Sequence, residues 1–187
     1  LEGITASTVT TSRITTRVLS RGSMTATPVV FVHGNLSSAT YWEDTIMALP
    51  QGFKGIAYDQ RGYGDADPEK KIDATRGMGD LADDLKALLE ALDIQQAHFV
   101  GHSMGGSVLW RFMMDYPEAV LTVTMAAPGS PYGYGGTKDA DGNPTWPDFA
   151  GSGGGIVNPQ FAQAVKDNDT SADQGSPRFV MNSFYWQ

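Results

Sequence analysis

The 187-residue chain is 41% hydrophobic and 18% charged, the balance of a packed globular core rather than of a disordered segment. Its formal net charge of −8 argues against a nucleic-acid partner, and no stretch approaches the ~20 consecutive apolar residues of a membrane span. There is no cysteine, which removes disulfides, thiolate nucleophiles and cysteine metal sites together; no cofactor or metal is expected.

Residues 4–20 are rich in threonine and β-branched side chains and break at Thr11-Ser12, which predicts two early strands ending at Arg21-Gly22-Ser23. Pro28 to Val32 is a continuous apolar run of the kind that is buried on both faces of a sheet. Tyr41 to Leu49 reads as a helix stopped by Pro50, and Phe53 to Tyr58 as another short strand. The clearest helix spans Arg76 to Leu92. Leu81, Leu85, Leu88, Leu89 and Leu92 share one face, opposite Asp83, Asp84, Lys86 and Glu90. Ala97 to Gly101 is a strand, Met104 to Asp115 a helix, and Ala119 to Ala126 a strand again. This alternation predicts an α/β core, a mostly parallel sheet with helices on both faces.

After Ala127 the character changes. Residues 128–155 carry many glycines and prolines and read as loop, with short helices expected over Pro159 to Lys166 and Arg178 to Trp186. The expected division is a core over 1–128 and a loop-rich cap over 129–187. Tyr132, Tyr134, Trp146, Phe149, Phe161, Phe184, Tyr185 and Trp186 give the second region a large aromatic surface, suited to lining an apolar pocket or to packing the cap itself.

Gly101-His102-Ser103-Met104-Gly105 has the G-x-S-x-G pattern of a nucleophile elbow, directly after a strand and opening a helix. Such a turn holds its serine in a strained backbone conformation, and Gly101, Gly105 and Gly106 leave room for it. The hydroxyl is then presented at a helix N-terminus, whose partial positive charge favours a developing oxyanion. The backbone N–H of Met104 is one candidate oxyanion donor. The other is expected from His33-Gly34-Asn35, after the earlier strand, with Asn35 N–H preferred over Leu36.

Three segments in order, His33-Gly34-Asn35, Asp59-Gln60-Arg61-Gly62-Tyr63-Gly64 and Val100-Gly101-His102-Ser103-Met104-Gly105-Gly106, resemble the α/β-hydrolase superfamily, in its esterase, lactonase and peptidase branch. The resemblance runs from about residue 14 to 128. It implies that the Asp59 to Gly64 segment is structural, with Arg61 tying its loop down. Members that open epoxides or remove halides carry aspartate at the elbow, so serine implies acyl chemistry. Ser103 would attack the carbonyl of a small ester or lactone, Asn35 and Met104 would hold the oxyanion, and water would release the acyl group. An amidase or a carbon–carbon bond hydrolase shares this machinery, and a non-catalytic binding member shares the fold.

Serine needs a base, and in this fold the acid and then the histidine follow it in sequence. No histidine follows Ser103. His33 lies in the oxyanion turn, His102 inside the elbow with its ring directed away, and His98 about 15 Å down an extended strand. All three are expected to be structural. Leu121 to Met125 would also be the bare edge of a parallel sheet. The expectation is therefore a core left incomplete in this chain. A C-terminal fragment of the same precursor, separated by cleavage after Gln187, would supply further strands, the acid and the histidine.

Overall fold

The computed structural model describes residues 1–131, 138, 139, 141, 143 and 159–184. The chain divides into two units, Leu1–Gly129 and Ser130–Gln187.

The first unit is built on a six-stranded sheet. Its strands are β1 (Thr5–Thr10), β2 (Thr15–Arg21), β3 (Thr27–Val32), β4 (Phe53–Tyr58), β5 (Ala97–His102) and β6 (Val120–Ala126). Their spatial order is β1-β2-β4-β3-β5-β6. β1, β2 and β4 pair antiparallel, while β4, β3, β5 and β6 run parallel. β3 is thus one of two inner strands of the parallel set, with Val30 between Ile56 of β4 and Phe99 of β5. Both its faces are covered, and Val29 to Val32 are all buried, as an unbroken apolar run requires.

Helices cover both faces. Helix α1 (Glu43–Ala48), preceded by a 3₁₀ turn over Ala39–Trp42, sets Trp42 and Ile46 against Leu19, Val29, Phe31 and Ala57. On the other face, α2 (Gly79–Ala91) and α3 (Met104–Asp115) bury Leu85, Leu88, Leu89, Leu109 and Phe112 against Val30, Val32, Ile56 and Phe99. Each such side chain removed from water contributes about 1.5–3 kcal/mol. The expected helix from Arg76 starts later, because a separate 3₁₀ turn occupies Ala74–Arg76.

The polar face of α2 departs from expectation. Asp84, expected opposite the leucines, follows Leu81 by three residues and precedes Leu88 by four, so it flanks the apolar stripe; it is buried, and so is Asp80. Arg61 grips Asp84 with two bonds of 2.7 Å, while Arg13 reaches Asp84 at 2.7 Å and Asp80 at 2.6 Å. Arginines from elsewhere in the chain cover both carboxylates. The paired carboxylate holds the Arg61 guanidinium's pKa above its ordinary value.

β6 pairs only with β5 among the described residues, and Leu121 on it is 43% exposed. No described helix is long and apolar enough to cross a membrane. In the second unit, α4 (Pro159–Lys166) and α5 (Pro177–Phe184) pack on each other. The buried Ser176 caps α5, its hydroxyl accepting from Phe179 N–H at 3.1 Å with Pro177 as the first helical residue. Of the aromatics expected to line a pocket, Tyr132, Tyr134, Trp146, Phe149, Tyr185, Trp186 and the Phe184 side chain lie outside the described residues.

Candidate active site

Ser103 stands between the end of β5 and the start of α3, at φ 53° and ψ −120°. A side chain strains such a backbone, by about 1–3 kcal/mol. The surroundings hold it there. Ser103 N–H donates to Ala126 of β6 at 2.9 Å, and its carbonyl accepts from Gly106 N–H at 3.0 Å as α3 begins. Gly105 lies so close to the end of β3 that a methyl group there would overlap the Val32 carbonyl oxygen. The hydroxyl of Ser103 makes no capping bond to the helix it opens.

The loop after β3 packs directly on this elbow. A β-carbon placed on Gly34 would lie 3.1 Å from the Ser103 β-carbon and 3.2 Å from His102 Nδ1. Asn35 follows, exposed, and Leu36 takes a left-handed conformation at φ 52°. Neither the Asn35 nor the Met104 backbone N–H makes a hydrogen bond among the described residues. Both expected donors therefore flank the elbow unspent. Their side chains meet a residue that the sequence did not single out for the site. The Tyr63 hydroxyl donates to Asn35 Oδ1 at 2.6 Å and lies 3.5 Å from Met104 Sδ.

Asp59 is buried and fully engaged by its neighbours. Its carboxylate accepts from Ala39 N–H at 2.7 Å, Asp65 N–H at 2.8 Å and Arg17 Nε at 2.9 Å, holding three segments at the sheet's C-terminal end. Arg61 ties its loop down, as the resemblance implies, and does so on α2 through Asp84.

The three histidines all lie among the described residues. His33 is fully buried, with Nδ1 2.8 Å from the Gly34 carbonyl and Nε2 accepting from Gln60 N–H at 3.1 Å. Burial pushes its pKa below the usual imidazole value, against smaller opposing effects of the Gly34 bond and the Asp59 charge. His98 Nδ1 lies 2.8 Å from Thr122 Oγ1 across to β6. His102 stacks on Tyr41 with ring centroids 5.0 Å apart. No metal-binding cluster of histidine or carboxylate groups occurs among the described residues.

The family model described as alpha/beta hydrolase fold matches residues 27–163, which include the β3 loop, the Asp59 segment and the elbow. The chain belongs to the α/β-hydrolase fold family. Among curated relatives of this α/β-hydrolase, the Pantoea ananatis protein named "Putative carbamate hydrolase RutD" is 34% identical over 109 residues, 58% of this chain and 39% of that protein. The non-heme chloroperoxidase CPO-A1 of Kitasatospora aureofaciens is 39% identical over 87 residues, 46% of this chain and 30% of that protein. Among solved structures, epoxide hydrolase A from Mycobacterium thermoresistibile superposes with a TM-score of 0.61 at 32% identity, over 65% of this chain and 38% of that one. The α/β-hydrolase chain thus spans 30–39% of the length of these curated relatives.

Proposed function

We propose that this chain carries the nucleophile and oxyanion half of a serine hydrolase acting on a carboxylic ester or lactone. The observation that carries the reading is Ser103 at φ 53° on a strand-to-helix turn, its hydroxyl free of capping duty and the β3 loop packed against it. Ser103 Oγ attacks the carbonyl carbon as its proton passes to a base. The tetrahedral oxyanion is held by the N–H groups of Asn35 and Met104, and expulsion of the alcohol leaves an ester on Ser103. Water then attacks that ester by the same route and releases the acid.

The chemistry of the nucleophile selects among the activities of the relatives. A carboxylate that opens an epoxide leaves an ester, which water can cleave. A serine oxygen would leave an ether, which it cannot. Turnover through Ser103 therefore calls for a carbonyl substrate, a class to which carbamates also belong.

The base in this reading is a histidine other than these three: His33 and His98 hold their ring nitrogens in other hydrogen bonds, and His102 stacks on Tyr41. In this reading it comes, with its acid, from a segment of the same precursor that also covers β6. Intact-mass analysis and a denaturing gel of the native protein identify that segment, as one longer chain or as a second fragment. A fluorophosphonate probe is expected to label Ser103 of the assembled protein, and Ser103→Ala to abolish both labelling and p-nitrophenyl ester hydrolysis. Hydrolysis that survives Ser103→Ala overturns the proposal.

A further inference from the structure

His33 is bound in a way that goes beyond filling the core. A backbone N–H only donates, so Gln60 N–H requires His33 Nε2 to be the bare, accepting nitrogen. A carbonyl oxygen only accepts, so the hydrogen sits on Nδ1 and is given to Gly34 C=O at 2.8 Å. Gln60 closes the contact a second time, its side-chain Nε2 donating to His33 C=O at 2.7 Å. A single neutral tautomer satisfies all of these bonds, and burial favours that neutral form. The ring's other neighbours leave it so: Tyr63 meets it edge-on with centroids 5.4 Å apart, and the Asp59 carboxylate is already held by Arg17, Ala39 N–H and Asp65 N–H.

The Gly34 bond sets a direction. A trans peptide is planar, with its C=O and the following N–H pointing opposite ways. Holding the Gly34 oxygen against the His33 ring turns Asn35 N–H to the other side. Glycine offers little resistance to a peptide flip, and a flipped peptide would present an oxygen where the N–H is needed. We infer that His33 is a positioning residue: its Nδ1–H, with Nε2 anchored on Gln60, locks the Gly34–Asn35 peptide in the orientation that makes Asn35 N–H an oxyanion donor. The inference rests on the reading of Asn35 given under the proposed function.

Two variants separate this role from packing. His33→Asn places an amide N–H near the Nδ1 position and can still bond Gly34 C=O; His33→Gln places its amide near Nε2 and can bond only Gln60. Both lose the ring. In the assembled enzyme with a p-nitrophenyl ester, His33→Gln is expected to lower kcat about 100-fold, and His33→Asn less than about tenfold. KM is expected to stay within about threefold in both. Affinity for a boronate that mimics the tetrahedral state is expected to fall in step with kcat. Equal kcat in the two variants, with Ser103 still labelled and required, overturns the positioning role alone. Hydrolysis that does not depend on Ser103 overturns the functional reading and this inference with it. Nitrogen-15 imidazole spectra of the unsubstituted protein are independent of activity and of how the variants fold. They are expected to show neutral His33 with its hydrogen on Nδ1, and a hydrogen on Nε2 overturns the inference.

Discussion

The Tyr63 hydroxyl donates a 2.6 Å hydrogen bond to Asn35 Oδ1, joining the loop after β4 to the loop after β3. With Met104 Sδ 3.5 Å from the same hydroxyl, one phenol touches the side chains of both residues proposed to hold the oxyanion. Tyr63→Phe keeps the ring and removes the tether. A single neutral hydrogen bond contributes about 1 kcal/mol, so kcat is expected to fall about fivefold while the denaturation midpoint barely moves. An unchanged kcat in steady-state assays would show that Asn35 is held without it.

Backbone strain at Ser103 makes a separate prediction about stability. Ser103→Ala and Ser103→Gly both remove the hydroxyl, but only glycine relaxes a residue held at φ 53° and ψ −120°. The glycine variant is expected to be more stable than the alanine variant by about 1 kcal/mol or more, although glycine elsewhere usually costs stability. Chemical denaturation of the two inactive variants measures it. A less stable glycine variant would remove the case for strain at the elbow.

Arg61 and Asp84 form a buried, two-pronged ion pair, with side chains 8% and 2% exposed. Arg61→Leu leaves the Asp84 carboxylate with Arg13 alone and is expected to cost about 3–5 kcal/mol. Adding Asp84→Leu removes the buried charge that has lost its two-pronged partner and should recover most of that loss. Urea titrations of the single and double variants give the comparison, and a double variant as weak as the single one would place the damage in packing.

The pH dependence of stability follows from the depressed pKa of buried His33. Below the ordinary imidazole value of about 6.5, the unfolded chain takes up a proton that the folded ring resists. The contribution of neutral His33 is therefore complete above that pH and declines as pH falls toward the folded-state value. His33→Asn is expected to flatten this part of the stability profile. Profiles that run parallel from pH 7 down to about pH 5 would show that His33 titrates alike in both states.

Local physics made the elements and the elbow legible in the sequence. The apolar run at Val29 to Val32, the leucine spacing from Leu81 to Leu89 and the helix from Met104 all report geometry set within a few residues, and β-strands and helices appear where those periods predict them. The elbow was legible for the same reason: a serine among glycines between a strand and a helix is a local demand on φ and ψ.

Tertiary structure alone decided the rest. It placed β1 and β2 antiparallel at one end of the sheet, buried Asp84 beneath Arg61 and Arg13, and set Tyr63 on Asn35 and His33 against Gln60. These contacts join residues 23 to 71 positions apart. Whether a charged residue beside a helix's apolar stripe meets water or an arginine depends on which strands become neighbours. That is settled by burying the apolar faces of the whole sheet together, and no local period encodes it.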